Sequence, residues 1–210
     1  DSLTGWIGGT NYPYADSDFI LKTTDGGISW QKLYYGGDTV DGRYFSYGCT
    51  GYRLTGVDNE HVWATCHQCY ILRTTDGIHW HSTFNPRCGN YKITDVDFPT
   101  MDIGLAAGDG PAGTGVISKS TDGGETWSGG NIVFGCILPN ASLVSLPDSI
   151  HGWGVVANFC TTEAIEIWHT SDGGITWDLQ FTHQPVDPGW QENIFFLDSL
   201  HGWVVGGHGL

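Results

Sequence analysis

One short motif recurs four times and constrains any fold the chain can adopt: TTDGGISW at 23–30, TTDGIHW at 74–80, STDGGETW at 120–127 and TSDGGITW at 170–177. Its acidic residues, Asp25, Asp76, Asp122 and Asp172, stand 51, 46 and 50 residues apart. Spacing of this size marks repeated supersecondary units that bury their apolar faces against one another. A second marker keeps the same step: DSLTGWIGG at 1–9, DNEHVWAT at 58–65, TMDIGLAAG at 100–108, DSIHGWGVV at 148–156 and DSLHGWVVGG at 198–207. Five openings and four turns alternate along the chain.

Each unit reads as four short strands, A to D. Strand A is brief and alternating (ITDVDF, NIFFLD), and the GW marker runs into an apolar strand B. Strand C (ILKTT, ILRTT, VISKS) leads into the Asp-Gly turn, and strand D follows it (SWQKL, HWHST, TWDLQF). Four strands in about 48 residues, joined by tight turns and separated by longer loops, is the pattern of a β-propeller blade. With 32 Gly, 10 Trp, one Met and only 15% charged residues, the composition suits a sheet protein rather than a helical one. The expected fold is all-β, a β-propeller of four-stranded antiparallel blades. Residues 1–210 form one propeller domain or a segment of one, with units at approximately 1–50, 51–92, 93–140 and 141–190 and a partial fifth at 191–210.

A carboxylate repeated four times could be catalytic, metal-binding or part of a turn. Asp and Ser side chains in tight turns accept hydrogen bonds from backbone N–H groups just downstream, and glycines take positive φ without a Cβ penalty. A tryptophan beginning strand D offers a broad surface to cover the turn. Every element thus has a turn-building role, and the structural reading is preferred for Asp25, Gly27 and Trp30; Asp76 and Trp80; Asp122, Gly124 and Trp127; and Asp172, Gly174 and Trp177. These residues resemble the Asp-box, or bacterial neuraminidase repeat, of sialidase-like and sortilin-like propellers. The copy at Asp76 departs from the pattern by one lost Gly, which implies a tighter or irregular turn. GWxVG combined with ILxTTDGGxxW looks most like the photosystem II assembly and stability factor branch and its secreted bacterial relatives. That resemblance implies protein–protein scaffolding, although no residue specifies a photosystem partner.

Six cysteines fall on one side of this plan. Cys49, Cys88 and Cys136 each lie eight residues before a strand A centre (Val57, Val96, Val144), in D-to-A loops, while Cys66, Cys69 and Cys160 lie in B-to-C connections. In an up-and-down blade these connections share one face. Cys136 and Cys160 belong to one unit and form the preferred pair. The other four allow three connectivities, with Cys49 and Cys88 each bridging to one member of CHQC favoured over Cys66 with Cys69. Such a framework implies an oxidising, secreted, extracellular or periplasmic setting. CHQC is followed by Tyr70 rather than His and has no second Cys pair nearby, so neither haem attachment nor a zinc ribbon is read. No cofactor and no metal are expected.

Eight Lys plus Arg against 23 Asp plus Glu give a net charge of −15, which disfavours nucleic acid. No run of 18 apolar residues and no basic-then-apolar leader occurs, so no membrane span and no uncleaved signal peptide are expected, and the chain opens at Asp1 as a processed or excised one would. A sialidase would need an arginine cluster and an Arg-Ile-Pro motif. The four arginines are Arg43, Arg53, Arg73 and Arg87, and Arg73 takes the strand C place of Lys22 and Lys119. Glu163 with Glu166, or Asp38 with Asp41, could in principle form a glycosidase pair, but solvated loop carboxylates are the plainer reading. His79 and His81 read as neighbours on one strand face, and His151 and His201 as parts of the DSxHGW turn. Binding is better supported. The loop at 34–53 gathers Tyr34, Tyr35, Arg43, Tyr44, Phe45, Tyr47 and Tyr52, and a second patch at 183–191 holds Trp190; aromatics and Arg among Gly and Ser suit protein or glycan contacts. An N-glycosylation triplet stands at 140–142 on the same side. The expected function is a non-catalytic scaffold for a protein partner or self-assembly, with a carbohydrate-active propeller, lectin or hydrolase, as the alternative. The overhanging final strands are read as part of a longer array, an extra strand on a four-bladed disc, or an edge that pairs with a neighbouring copy.

Overall fold

The computed structural model describes residues 3–9, 19–35, 39–41, 43–44, 53–66, 68–89, 92–111, 114–158, 164–184 and 191–206; for 34, 35, 39, 43, 44, 129–142, 157, 158, 191 and 192 it describes the backbone alone. The regular elements among these residues are β-strands, and their pairings are antiparallel. β1 (Gly5–Gly9), β2 (Phe19–Thr23) and β3 (Gln31–Tyr35) form the first sheet. A small hairpin, β4 (Thr39–Val40) with β5 (Arg43–Tyr44), follows it. β6 (Leu54–Gly56), β7 (Val62–Thr65), β8 (Tyr70–Thr74) and β9 (His81–Phe84) make the second sheet. The third and fourth sheets comprise β10 (Ile93–Asp97), β11 (Gly104–Asp109), β12 (Thr114–Ser120), β13 (Ser128–Ser145), β14 (Gly152–Asn158), β15 (Ala164–Thr170) and β16 (Asp178–His183). β17 (Gln191–Phe196) and β18 (Gly202–Gly206) form the fifth.

One expectation is corrected. Residues 128–145 are a continuous strand, not a D-to-A loop, so Cys136 and the 140–142 triplet lie within β13, with Cys136 and Ser142 paired. The first part of β13 pairs with β12, ending at Thr114↔Cys136, and the last part pairs with β14 from Ile137↔Asn158. The register breaks between Ile137 and Ser142, where Pro139 sits. Proline lacks a ladder donor, and here it falls in the break of register, where a missing N–H costs nothing. Val57, expected at a strand centre, lies just beyond β6.

The core is a series of joints rather than one cluster. Ile20 meets Val62, Ala64, Leu72 and Trp80 between sheets one and two; Trp63 and Ile71 meet Ile93, Val96, Phe98 and Trp127 between two and three. Leu105 and Ile117 meet Val144, Leu146 and Trp177 between three and four, and Trp153 and Val155 meet Ile194 between four and five. Inner sheets are covered on both faces, which is why β7 and β11 are buried at every residue and read as apolar runs, whereas β18 alternates.

The joints reuse their parts. Trp63 in β7 stacks on Phe98 at 3.8 Å, and its Nε1–H donates to the Gly123 carbonyl at 2.9 Å. Trp153 in β14 likewise stacks on Phe196 at 3.7 Å, and Trp6 in β1 meets Trp80 edge-on at 5.9 Å. Leu105 replaces the tryptophan in β11 and lies against Gly174, where an added Cβ would come within 2.8 Å of it. Each fully buried ring removes roughly 150–250 Å² from water, which at about 25 cal/mol per Å² contributes roughly 4–6 kcal/mol as an upper figure. Strand C cations complete the joint. Lys22 donates to the Asn59 and Gly77 carbonyls at 3.1 and 3.2 Å, Arg73 reaches Gly123 and pairs with Glu125, and Lys119 lies against Gly173.

Candidate functional site

The four repeated carboxylates are consumed by their own turns. In each, a strand C hydroxyl donates to the Asp carboxylate and accepts a glycine N–H: Thr23 with Asp25 and Gly27, Thr74 with Asp76 and Gly77, Ser120 with Asp122 and Gly124, Thr170 with Asp172 and Gly174. The Asp side chain also accepts downstream groups. Ser29, Thr126 and Thr176 each donate both N–H and hydroxyl at 2.5–2.9 Å, and in the second turn Ile78 N–H, His79 N–H and the His79 ring take those places. Donors to the charged form lower a carboxyl pKa. The Ser29 hydroxyl leads in holding Asp25 down at about 2, and His79 and the Thr176 hydroxyl hold Asp76 and Asp172 lower still. A carboxylate in that state has no proton to give at neutral pH.

The lost glycine has a visible consequence. In three turns the first glycine N–H donates to the preceding A-to-B turn (Gly26 to Leu3, Gly123 to Asp102, Gly173 to Ile150) while the second donates to the hydroxyl. In the second turn Gly77 N–H serves both acceptors, Glu60 O at 3.0 Å and Thr74 Oγ1 at 2.9 Å. These bonds also place the Asp-Gly turns and the A-to-B turns at one end of the sheets. The A-to-B turns carry a second Asp device. Asp58, Asp148 and Asp198 each accept the N–H groups two and three residues on and hold the ring of His61, His151 or His201 at 2.8–3.0 Å. His61 belongs to this series, although the Asn-Glu between it and Asp58 disguises the motif.

The opposite end carries Cys66, Cys69 and Cys88. Cys69 and Cys88 form a disulfide with Cα atoms 5.4 Å apart, linking the β7–β8 connection to the segment after β9, and Asn85 N–H donates to the Cys69 carbonyl. Cys66 is also disulfide-bonded, and no cysteine is free among the described residues. Cys49 and Cys160 lie outside the described residues, and Cys136 is described by its backbone alone. Of the expected binding residues, Tyr34 and Tyr35 lie in β3 and Arg43 and Tyr44 in β5, their backbones alone being described. Phe45, Tyr47, Tyr52 and Trp190 fall outside the described residues. The β4–β5 hairpin is tied to the second sheet through Asp41, whose carboxylate accepts Ser82 N–H at 2.8 Å and meets the His81 ring at 3.1 Å. His79 and His81 therefore do not share a strand face: His79 lies before β9 and binds Asp76, while His81 reaches across to Asp41. The glycosidase pairs are not brought together either, for Asp38 and Glu163 are outside the described residues and buried Glu166 accepts the Trp168 Nε1–H at 3.1 Å.

A site not read from the sequence lies where inner strands converge. A cavity of about 310 Å³ is lined by β6, β10, β13 and β17 with the flanking Arg53, and its polar walls are Arg53, Thr55, Asp95, Asp97, Ser145 and Asn193. Asp95 and Asp97 alternate on β10 and so point to one face. Asp95 accepts Val144 N–H at 2.9 Å with the Arg53 guanidinium 3.5 Å away; Asp97 accepts Leu146 N–H at 2.7 Å and the Thr55 hydroxyl at 3.2 Å. Ser145 repeats the device one sheet on, accepting Phe196 N–H at 3.0 Å. Burial raises Asp95 to about 7 against the opposing pull of Arg53, and burial likewise raises Asp97 against the Leu146 N–H. Asp95 can therefore exchange a proton near neutrality, yet both carboxyls are engaged in holding the next sheet. The signal in the sequence was ITDVDF itself, a strand with two carboxyls on the face its apolar neighbours do not take. Among the described residues no three His, Cys, Asp or Glu side chains gather as a metal would require, and no helix is long and apolar enough to cross a membrane.

No protein-family model and no curated protein matches the chain. Among solved structures it is similar to YCF48 from Cyanidioschyzon merolae, with 19% identity over 92% of this chain and 62% of that one and a TM-score of 0.58. It is also similar to the GH74 xyloglucanase from Xanthomonas campestris (12% identity, 93% of this chain, 32% of that one, TM-score 0.59) and to NanB sialidase from Streptococcus pneumoniae (12%, 85%, 30%, 0.56). The chain spans less than two thirds of the length of each. At these identities the likeness is one of fold, and the chain accordingly has a propeller-like all-β architecture of the kind found in bacterial neuraminidase repeat proteins.

Proposed function

We propose that the chain is a non-catalytic binding and assembly module, an Asp-box propeller or propeller segment of an extracytoplasmic compartment. It engages a protein partner through the end that carries Cys66, Cys69 and Cys88, where the strand order read from the sequence also directs the aromatic loops. The carrying observation is the fate of the carboxylates: those of the four turns are held ionised by backbone and hydroxyl donors, and Asp95 and Asp97 bind the backbone of the neighbouring sheet. Glycosidic chemistry needs two carboxyls free to face a sugar from about 5–9.5 Å apart, and these are occupied. The disulfide suits an oxidising compartment.

The cavity supports a second reading, a carbohydrate-active propeller. Guanidinium, carboxyl, hydroxyl and amide groups beside the exposed ring of Phe195 are the mixture that binds polyhydroxylated ligands. Reporter glycosides and a glycan array separate the two. Turnover that disappears in Asp97→Asn would overturn the scaffold reading. A photo-crosslinker at Tyr44 that yields one recurrent protein adduct, absent when the crosslinker is at exposed Ile28 on the opposite end, is the outcome expected of it.

A further inference from the structure

The end of the molecule that carries the Asp-Gly turns displays side chains those turns do not need. In sheets two to four each Asp-Gly turn is tied to the A-to-B turn beside it: Gly77 N–H donates to the Glu60 carbonyl at 3.0 Å, Gly123 N–H to that of Asp102 at 2.9 Å and Gly173 N–H to that of Ile150 at 2.7 Å. Every one of these sheets therefore presents two neighbouring tips, one from each turn: Glu60 with Ile78, Asp102 with Glu125, and Ile150 with Ile175. All six residues are exposed, the isoleucines by 57%, 50% and 56% in chain order. Solvated turns favour Gly, Asn, Asp and Ser, whereas β-branched isoleucine suits strands. What Ile78, Ile150 and Ile175 give their turns is an N–H donated to the turn carboxylate at 2.8–2.9 Å, which any residue but proline would supply. Their side chains are spare to the fold, and the six tips hold aliphatic and acidic groups alone.

The charges sort in the same direction. The strand C cations of these sheets are drawn into the joints, Arg73 against Glu125 and the Gly123 carbonyl and Lys119 against Gly173 of the next sheet. Among the described residues Glu60 and Asp102 have no ion pair, and the carboxylates inside the turns, held ionised by their donors, extend the negative field. An acidic stretch over sheets two and three thus borders an aliphatic one on sheet four. We propose that this end of sheets two to four is an interaction surface for a protein segment carrying basic side chains beside aliphatic ones, the basic groups over Glu60 and Asp102 and the aliphatic ones on Ile150 and Ile175. Complementary charge sets the register of such a contact, and a net charge of −15 turns away acidic partners and anionic lipid. The surface is separate from the cysteine end and does not rest on the partner assigned to that end.

The test uses the full oxidised chain with labelled isoleucine methyls, observed by NMR at roughly physiological salt. The probes are a synthetic peptide of leucine and lysine, the same peptide with glutamate for lysine, and phosphatidylcholine vesicles. The lysine peptide is expected to shift the methyls of Ile78, Ile150 and Ile175 in a saturable way, to leave those of buried Ile117 and Ile165 in place, and to bind more weakly as salt is raised. Ile150→Ser and Ile175→Ser, both half exposed and so compatible with the fold, should each weaken binding roughly five-fold. Glu60→Gln and Asp102→Asn should each weaken it roughly three-fold. No saturable shift at the three methyls, equal binding of the glutamate peptide, or a lysine peptide indifferent to the isoleucine substitutions overturns the proposal. So does a response of these methyls to the vesicles in place of the peptide, which would make the surface a membrane contact.

Discussion

Replacing Asp95 by Asn should change the pH dependence of stability in a sense opposite to that usual for an acid. The buried carboxyl titrates near pH 7 in the folded protein instead of near its ordinary 3.8, because burial outweighs the nearby Arg53 guanidinium and the Val144 N–H. Between those values the folded state holds a proton that the unfolded chain has released. Stability from this group therefore falls as pH rises from about 4 to about 7 and is level above that. At 1.36 kcal/mol per pKa unit the fall is about 4 kcal/mol. His169 works against it. Its imidazole pKa is lowered, first by burial and then by His151, so the folded state takes up fewer protons below about 6.5 and that group gains stability as pH rises. The wild-type profile mixes these two with Asp97, likewise raised by burial and facing Asp95, whereas the difference from Asp95→Asn reads Asp95 together with its effect on Asp97. Urea unfolding at unit steps from about pH 4.5 to 8.5 provides the free energies. The variant is expected to gain on the wild type by several kcal/mol across that range, and a difference constant to within about 1 kcal/mol would refute the account of the inner-strand carboxyls.

Trp63→Phe should keep the stack on Phe98 but leave the buried Gly123 carbonyl only its longer Arg73 bond, costing about 0.5–1.5 kcal/mol by urea midpoint. Gly124→Ala should cost more than Gly26→Ala: both demand positive φ, but only at Gly124 does the new methyl meet packed groups, 3.1 Å from Trp63 Nε1 against 3.5 Å from the exposed Leu3. Cys69→Ser opens a bridge spanning 19 residues and should lower stability by about 3 kcal/mol under non-reducing conditions, with no change when both proteins are reduced. Thiol titration of denatured, unreduced protein should detect no free cysteine; several reactive thiols would sink the framework.

The all-β antiparallel order was legible because the Asp-Gly turns and GW markers punctuate the chain at fixed offsets, and local turn chemistry needs no tertiary knowledge. Cys88 pairs with Cys69, one of its two assigned partners, for a similar reason: the strand plan brings those connections to one end. What escaped was set between units. Asp95 and Asp97 look like solvated strand residues until a neighbouring sheet brings Val144 and Leu146 N–H groups to them. His81 looked like a partner of His79 until the β4–β5 hairpin delivered Asp41 from 40 residues away. The loop expected around Cys136 became a ladder because its backbone pairs first with β12 and then with β14, an outcome that a turn count does not contain.

That shared strand has a mechanical consequence. Arrays of repeats ordinarily come apart one module at a time, but β13 runs from sheet three into sheet four with no loop between its two ladders, so a displacement of one sheet is passed directly to the other. Under heat or tension the pair should behave as a single load-bearing block, with the first and fifth sheets peeling away earlier. Amide exchange would display the block directly, as protection that runs without interruption from β10 to β16 and drops on either side of it.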